Sequence, residues 1–332
     1  MWHIFAKVID NYGDMSIAWR LASGLVDYGQ KVTLFIEKKE DIEPILKLQP
    51  NNSFKVKSFN EASAEIDNVN NIISVFDVPL PPDYLDNIQH SSNLFIYEYL
   101  SAESWVKDFH MKTSLTENSL INKSYFYPGF NDKTGGLLRE RGYSNEESGD
   151  NIKGVGQDSY FQASFFYYSH TSCESIELIK KLKPDCKVLI LDELIEFQDL
   201  KKETWVEGFK MMAFADYDRL LQSSNLNFVR GEDSLTRAIF CGRPFIWQPY
   251  VQENNHHLVK LEAFINYFFS GLDESVYSIV RAVYYDWADG LIKENNFSKY
   301  LNRFEEITSY HKKKSKHYLL TKNVFENLIN DC

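Results

Sequence analysis

The sequence predicts an α/β protein built of two domains, and three observations carry that reading. The first 36 residues run strand, turn, helix, strand, the βαβ unit from which parallel sheets are made. The same rhythm restarts near Phe161, after a segment from Arg139 to Ser159 that is charged, rich in Gly, Ser and Asn, and without apolar periodicity. The length of 332 residues corresponds to about two domains at roughly 150 residues each.

In chain order, Ile4, Phe5, Ala6, Val8 and Ile9 form an apolar run broken only by Lys7, as expected of a strand buried on both faces. Asp10-Asn11-Tyr12-Gly13-Asp14 is turn-rich. Ile17, Leu21, Leu25 and Tyr28 then follow at helical spacing, with Gly29 placed to end the helix. Lys31 to Ile36 is the next strand, and Ile72 to Phe76 and Leu94 to Tyr97 are further ones. After the charged segment come strands at Phe161–Tyr168 and Lys187–Leu191, a weaker one at Phe209–Ala213, and strand ends at Asn227–Val229 and Pro244–Trp247. Helices are expected at Ile176–Leu182, at Tyr217–Ser224 and at Ser234–Cys241, the last closed by Gly242. Leu258, Leu261, Ile265 and Phe268 mark an amphipathic helix, and the tail from about Phe297 is helical. Lys312-Lys313-Lys314 with Lys316 reads as a solvated helix face.

Composition narrows the function. Lys and Arg number 36 against 47 Asp and Glu, a net charge of −11, which argues against a broad nucleic-acid or anionic-membrane surface but leaves room for a local basic pocket. Cys173, Cys186, Cys241 and Cys332 form no CxxC pair, so neither a zinc knuckle nor a redox pair is supported, and the pattern fits a reducing cytoplasm. Met1 to Ile9 lacks the marks of a secretory signal, and no apolar stretch approaches 18 residues, so a cytoplasmic protein without a membrane span is expected. Aromatic residues reach 15%, most simply as core filling.

Two α/β domains flanking a cleft place a ligand at the carboxyl ends of the strands. Three loops there carry candidate chemistry. The first is Asp10 to Asp14, with two carboxylates and Asn11 in five residues. It is not a GxGxxG fingerprint, so nicotinamide binding has little support. Gly13 lets a ligand approach the backbone, and Asp14 stands where a helix start favours an ionised carboxylate, either as a functional group or simply as an N-cap. The second is Arg230-Gly231-Glu232-Asp233-Ser234, between a strand end and a helix start. Backbone N–H groups there form an anion site to which Arg230 adds charge-assisted bonds, while Asp233 or Ser234 is a possible cap. Glu232 is out of place beside a phosphate and points instead to a sugar hydroxyl or a cationic acceptor. The third is Gln252 to His257, where adjacent histidines diverge by about 100° on a helix and so share no metal well. No metal or other cofactor is expected.

At these loops the chain resembles a known family. IDNYGD (Ile9 to Asp14) with AWRLASGL, YEYLSAESW (Tyr97 to Trp105), YFYPGFNDKTGGLLRE (Tyr125 to Glu140), NFVRGEDS (Asn227 to Ser234) and GRPFIWQPYVQENNHHLVKLEAF (Gly242 to Phe264) resemble the motifs of the elongation factor P arginine rhamnosyltransferases, the EarP family. The resemblance implies a GT-B fold, two Rossmann-like domains facing an interdomain cleft. Residues 1–150 would form an acceptor-side domain, with a helix at 312–332 packing back on it, and 155–311 a nucleotide-sugar domain. It implies an inverting glycosyltransferase that moves L-rhamnose from dTDP-β-L-rhamnose to an arginine of elongation factor P. It carries Asp10 and Asp14 over as an essential acidic pair with Asp14 as base, and Glu232 as an essential glutamate. Arg230, Gly231, Asp233 and Ser234 fall at the diphosphate, Tyr168 beside the nucleotide, and Asn11, Tyr12, Gly13 and Gln252 among the substrate contacts. The chain departs from the family pattern at Phe214, where a glutamine is usual, and at Ser169, where an acidic residue is usual. A sugar-nucleotide epimerase-like enzyme and an inactive elongation factor P-binding protein are the alternatives.

Overall fold

The apolar runs become the strands of two separate sheets. In the structure, a computed structural model, residues 1–8, 13–49, 53–116, 118–143, 160–191 and 200–330 are described. The chain divides into two units, Met1–Tyr143 with Thr321–Cys332, and Ser144–Leu320.

The first unit holds β1 (Trp2–Ala6), α1 (Gly13–Asp27), β2 (Val32–Ile36), α2 (Glu43–Leu48), β3 (Lys55–Ser58), β4 (Asn71–Val75), α3 (Pro82–Asp86), β5 (Ser92–Tyr97), α4 (Val106–Phe109), β6 (Thr113–Ser114) and β7 (Ile121–Phe126). Its sheet has the order β3-β2-β1-β4-β5-β7-β6, and only the β6–β7 pairing is antiparallel. Register partners share a face, so Phe5, Phe35, Ile72, Leu94, Ile96 and Ile121 fall together and build one core layer with Ala62, Val69, Val78, Tyr84 and Ile88. β1 ends at Ala6, short of the Ile9 expected from the apolar run; Ile9 lies outside the described residues.

The second unit holds β8 (Phe161–Phe165), α5 (Glu174–Leu182), β9 (Cys186–Leu191), β10 (Val206–Phe209), α6 (Phe214–Ser223), β11 (Leu226–Arg230), α7 (Gly231–Cys241), β12 (Phe245–Gln248), α8 (His256–Phe268), α9 (Glu274–Ala288), α10 (Glu294–Asn302) and α11 (Phe304–Leu320). Its sheet is parallel throughout, in the order β10-β9-β8-β11-β12. The register partners Phe165 and Phe228 stack at 4.2 Å, and Trp287 of α9 closes over both. Three sequence expectations shift here. The strand expected at Phe209–Ala213 lies at β10, because its pairing with Val188 to Leu191 of β9 begins at Val206. β8 stops at Phe165, which leaves Phe166 to Tyr168 as a loop. α7 begins three residues earlier than expected, at Gly231.

α11 belongs to the second unit, so the segment that joins the first begins at Thr321 rather than at 312. Packing explains the boundary. Ser315 donates to the Phe240 carbonyl at 2.7 Å, under Gly242, whose φ of 76° ends α7 as expected. Tyr318 stacks on Phe268 at 6.2 Å. The lysine run is not uniformly solvated: Lys314 is half-buried, with its ammonium 5.5 Å from the ring centres of Phe268 and Tyr310. The last helix, α12 (Val324–Asn330), packs in the first unit on α1, where the Phe325 ring fills the space that Gly24 leaves by lacking a Cβ.

Two buried histidines and a partly buried one, His110, tie this packing to pH. His3 meets the Tyr84 hydroxyl at 2.8 Å, His110 accepts from the Tyr127 N–H at 3.1 Å, and His311 sits among Phe245, Phe268 and Phe269. Burial lowers each to about 4 from the ordinary 6.5. The unfolded chain therefore binds protons before the native one as pH falls. Stability is unaffected by these groups above about 6.5 and is lost progressively from there toward 4, by up to roughly 3 kcal/mol per histidine. Melting temperatures measured from pH 7.5 to 5 should fall through this window, before the carboxylates titrate. A flat profile would remove the histidines as the cause.

Candidate active site

The order of each sheet has one switch point, where the chain stops adding strands on one side and crosses to the other. It lies between β1 and β4 in the first unit and between β8 and β11 in the second. Ligands of open parallel sheets bind outside the carboxyl ends of the strands at such points. Of the three loops singled out in the sequence, two leave the switch-point strands β1 and β11, and the third, Gln252 to His257, follows β12.

In the second unit, Arg230 ends β11 in extended conformation and is the N-cap residue of α7. Its side chain has no acceptor, so it cannot take up the helix's leading N–H groups in the way an Asp or Ser cap would. Gly231 follows with φ of 65°, which only glycine adopts without strain. The Trp247 indole N–H fixes this turn by donating to the Gly231 carbonyl at 2.7 Å. Glu232, Asp233 and Ser234 form the first helical turn. Asp233 and Ser234 are therefore inside the helix rather than its caps, and Ser234 is buried.

The loop after β8 wraps this turn. The Arg230 guanidinium lies 4.2 Å from the ring centre of Phe166 and 4.8 Å from that of Tyr168, and its Nη1 donates to the Tyr167 carbonyl at 2.5 Å. The rings and the carbonyl hold a planar cation in one orientation at the strand end. Beneath the loop lies Gln248, fully buried at the end of β12. Its Oε1 accepts from the Tyr168 N–H at 3.1 Å, and its Nε2 donates to the Trp287 carbonyl at 2.9 Å and the Thr171 hydroxyl at 3.2 Å. Tyr250, half-exposed, meets Tyr168 edge to face at 5.6 Å. Glu232 forms an ion pair with Lys260 of α8. Gln252 is exposed, and its backbone N–H donates to His257 Nδ1 at 3.3 Å.

In the first unit, Gly13 and Asp14 are the first two residues of α1, and Asp14 is buried with 5% exposure. Asp14 thus sits in the first helical turn, where the helix start favours its charge, and is not an N-cap. Asp10, Asn11 and Tyr12 lie outside the described residues. The end of the neighbouring β4 carries a feature the sequence did not announce. Phe76 and Asp77 both have positive φ, 59° and 52°, and Phe76 stacks on Tyr99 at 4.0 Å. Two consecutive non-glycine residues in this region mark a backbone held in place by its surroundings.

Sequence reading missed Phe166, Gln248 and Lys260. A signal existed for Lys260, a lone cation in the apolar run Leu258 to Phe264. Gln248 gave none, since a polar residue ending a strand is usually exposed. Among the described residues, no three His, Cys, Asp or Glu side chains are grouped to hold a metal ion, and no helix is long and apolar enough to cross a membrane.

Comparison with known proteins agrees with this architecture. Over 99% of its length, the chain is similar to a solved structure described as the structural basis for EarP-mediated arginine glycosylation of translation elongation factor EF-P. The TM-score is 0.62 at 20% identity, with 97% of that chain covered. Two Rossmann-like units, in this likeness, define the GT-B fold. The family model for Elongation-Factor P (EF-P) rhamnosyltransferase EarP matches residues 2–332, and the chain belongs to that family. Among curated proteins it is 30% identical to a protein-arginine rhamnosyltransferase of Pseudomonas aeruginosa, with 87% of each chain covered. It is 31% identical to one of Shewanella oneidensis, with 82% of this chain and 81% of that one covered.

If the Arg230 fork meets a diphosphate, Arg230→Ala should weaken binding of a nucleoside diphosphate by about 1.5–3 kcal/mol, the range for hydrogen bonds to a charged group. Calorimetry measures this directly, and an unchanged affinity would move the anion elsewhere.

Proposed function

We propose that the chain moves L-rhamnose from dTDP-β-L-rhamnose to an arginine side chain of elongation factor P, in one displacement that inverts the anomeric carbon. The observation that carries this reading is the family match over residues 2–332, which takes in both the Asp14 loop and the Arg230–Ser234 turn. The relatives' names, protein-arginine rhamnosyltransferase, support the acceptor and the sugar. A cytoplasmic location follows from that acceptor.

Arginine sets the chemical problem. Its pKa lies above about 12, so a carboxylate near pKa 4 cannot take its proton in the ground state. The carboxylates must orient the guanidinium, localise its charge, and accept the proton only as the new bond forms. We assign Asp14 as the acceptor of that proton, with Asp10 and Glu232 orienting the guanidinium. The arginine nitrogen attacks the anomeric carbon opposite the diphosphate. The C–N bond forms as the C–O bond breaks, the proton passes to Asp14, and dTDP leaves. Charge developing on the leaving oxygen is met by Arg230 and the N–H groups that open α7, donors already in place before reaction. Tyr168, beside Arg230, is placed to cover the base.

Purified protein, dTDP-β-L-rhamnose and elongation factor P should give a mass gain of one deoxyhexose on arginine, and the sugar should be α-linked by NMR. A β-linkage would overturn inversion. Consumption of the donor without transfer to the protein would overturn the acceptor.

Asp14→Asn tests the base. It keeps the side chain's shape and loses its proton-accepting charge, so single-turnover transfer should fall by about 10²–10⁴-fold. The stability cost should stay near that of a lost charge–helix interaction, about 0.3–1 kcal/mol. Near-normal turnover in the variant would remove Asp14 from that role.

A further inference from the structure

Glu232 poses an electrostatic problem at the start of α7. The start of α7 suits an anion: Arg230 precedes it at a strand end without capping its leading N–H groups. Yet its first turn carries two acidic residues, Glu232 and Asp233. A bare carboxylate at that position repels a diphosphate, and partial burial strengthens the repulsion because water screens it less. The Glu232 side chain is only 13% exposed.

The Lys260 ammonium pairs with Glu232 Oε1 from the second turn of α8, itself only 16% exposed. Such a pair is weak evidence for a stabilising role, since desolvating two charges consumes most of what their attraction returns. Its effect on the local field is not weak. It turns a negative side chain at the mouth of an anion site into a neutral pair, while keeping a carboxylate there.

We propose that Lys260 is the counter-ion that makes the start of α7 compatible with a diphosphate, acting through Glu232 and not by touching the nucleotide. The inference rests on the donor reading given above, that a nucleoside diphosphate binds at Arg230–Ser234. It makes affinity depend on the net charge of the Glu232–Lys260 pair, and so on which member is removed.

The test is calorimetric titration with dTDP, which carries no sugar and so omits any contact of Glu232 with rhamnose. Wild type, Lys260→Met, Lys260→Arg, Glu232→Gln and the double variant Lys260→Met/Glu232→Gln are compared, with thermal melts on the same samples. Lys260→Met, which removes the ammonium from beside Glu232, should weaken dTDP binding about tenfold or more. Lys260→Arg should bind within about threefold of wild type, because the charge is retained. Glu232→Gln should bind at least as tightly as wild type. The double variant, neutral again, should recover to within about threefold of wild type although it lacks the lysine. A merely structural lysine would not be rescued by removing its partner.

Unchanged affinity in Lys260→Met overturns the inference. So does a double variant as weak as Lys260→Met, which would place the ammonium on the diphosphate itself. If Lys260→Met melts below the titration temperature, Lys260→Gln takes its place with the same two criteria. Wild-type protein that binds no dTDP overturns the donor reading, and the inference with it.

Discussion

Parallel pairing is the constraint on which the remaining structure depends. A strand that runs parallel to its neighbour must be followed by a crossover, so every strand in both sheets delivers its carboxyl end to a loop and usually to the start of a helix. The strand orders then create one place in each unit where adjacent crossovers run to opposite sides. β1 and β4 meet there in the first unit, and β8 and β11 in the second. Asp14 lies just past β1, and Arg230 at the end of β11 lies against the loop that follows β8. The side chains assigned to chemistry sit where the topology leaves backbone donors unspent.

Within that frame, the second unit sets a cation beside a helix start in a chain whose net charge is −11. It does so with few groups. One guanidinium is held by two rings and one carbonyl, and the helix start adds partial charge without a side chain. In the proposed reaction the fixed orientation of Arg230 would matter more than its charge alone, because donors that need no reorganisation at the moment of reaction contribute most to stabilising a leaving group. Gln248 extends the same logic one layer deeper. It joins the Tyr168 backbone to the end of α9 through the Trp287 carbonyl, so the loop that clasps Arg230 is itself fixed from below.

Much of this was legible in the sequence, for identifiable reasons. Strands buried on both faces announce themselves as continuous apolar runs, as Ile4 to Ala6 and Lys187 to Leu191 did. Gly242 marked the end of α7 because a left-handed residue there favours glycine. Strand β7 went unread because Ile121 to Phe126 mixes polar with apolar residues, and only its pairing with β5 makes it a strand. The boundary at 312 was misplaced because Ser315 looks like a surface residue in a lysine run, whereas its bond to the Phe240 carbonyl anchors α11 in the second unit. At the candidate site, the residues proposed to touch a ligand stood out as odd chemistry in a loop. Those that hold them, such as Phe166 and Gln248, looked like ordinary core and strand-end residues, because their role depends on a partner distant in sequence.

On the proposed reaction, the two substrates make opposite electrostatic demands. A guanidinium that must give up a proton needs carboxylates around it, and a departing diphosphate needs donors and positive charge. The first unit supplies Asp14, buried at a helix start that favours a carboxylate's charge. The second unit supplies Arg230 and the start of α7. Glu232 crosses this division, a carboxylate set with Asp233 in the first turn of that helix, and it is at Glu232 that an ion pair with Lys260 is found. A lysine answers this better than a second arginine would: its compact, strongly hydrated charge can neutralise one carboxylate without the planar fork that would compete with Arg230 for a bidentate partner. The pair thus allows one helix start to face both an anion and a cation, which a transfer between a diphosphate and a guanidinium requires.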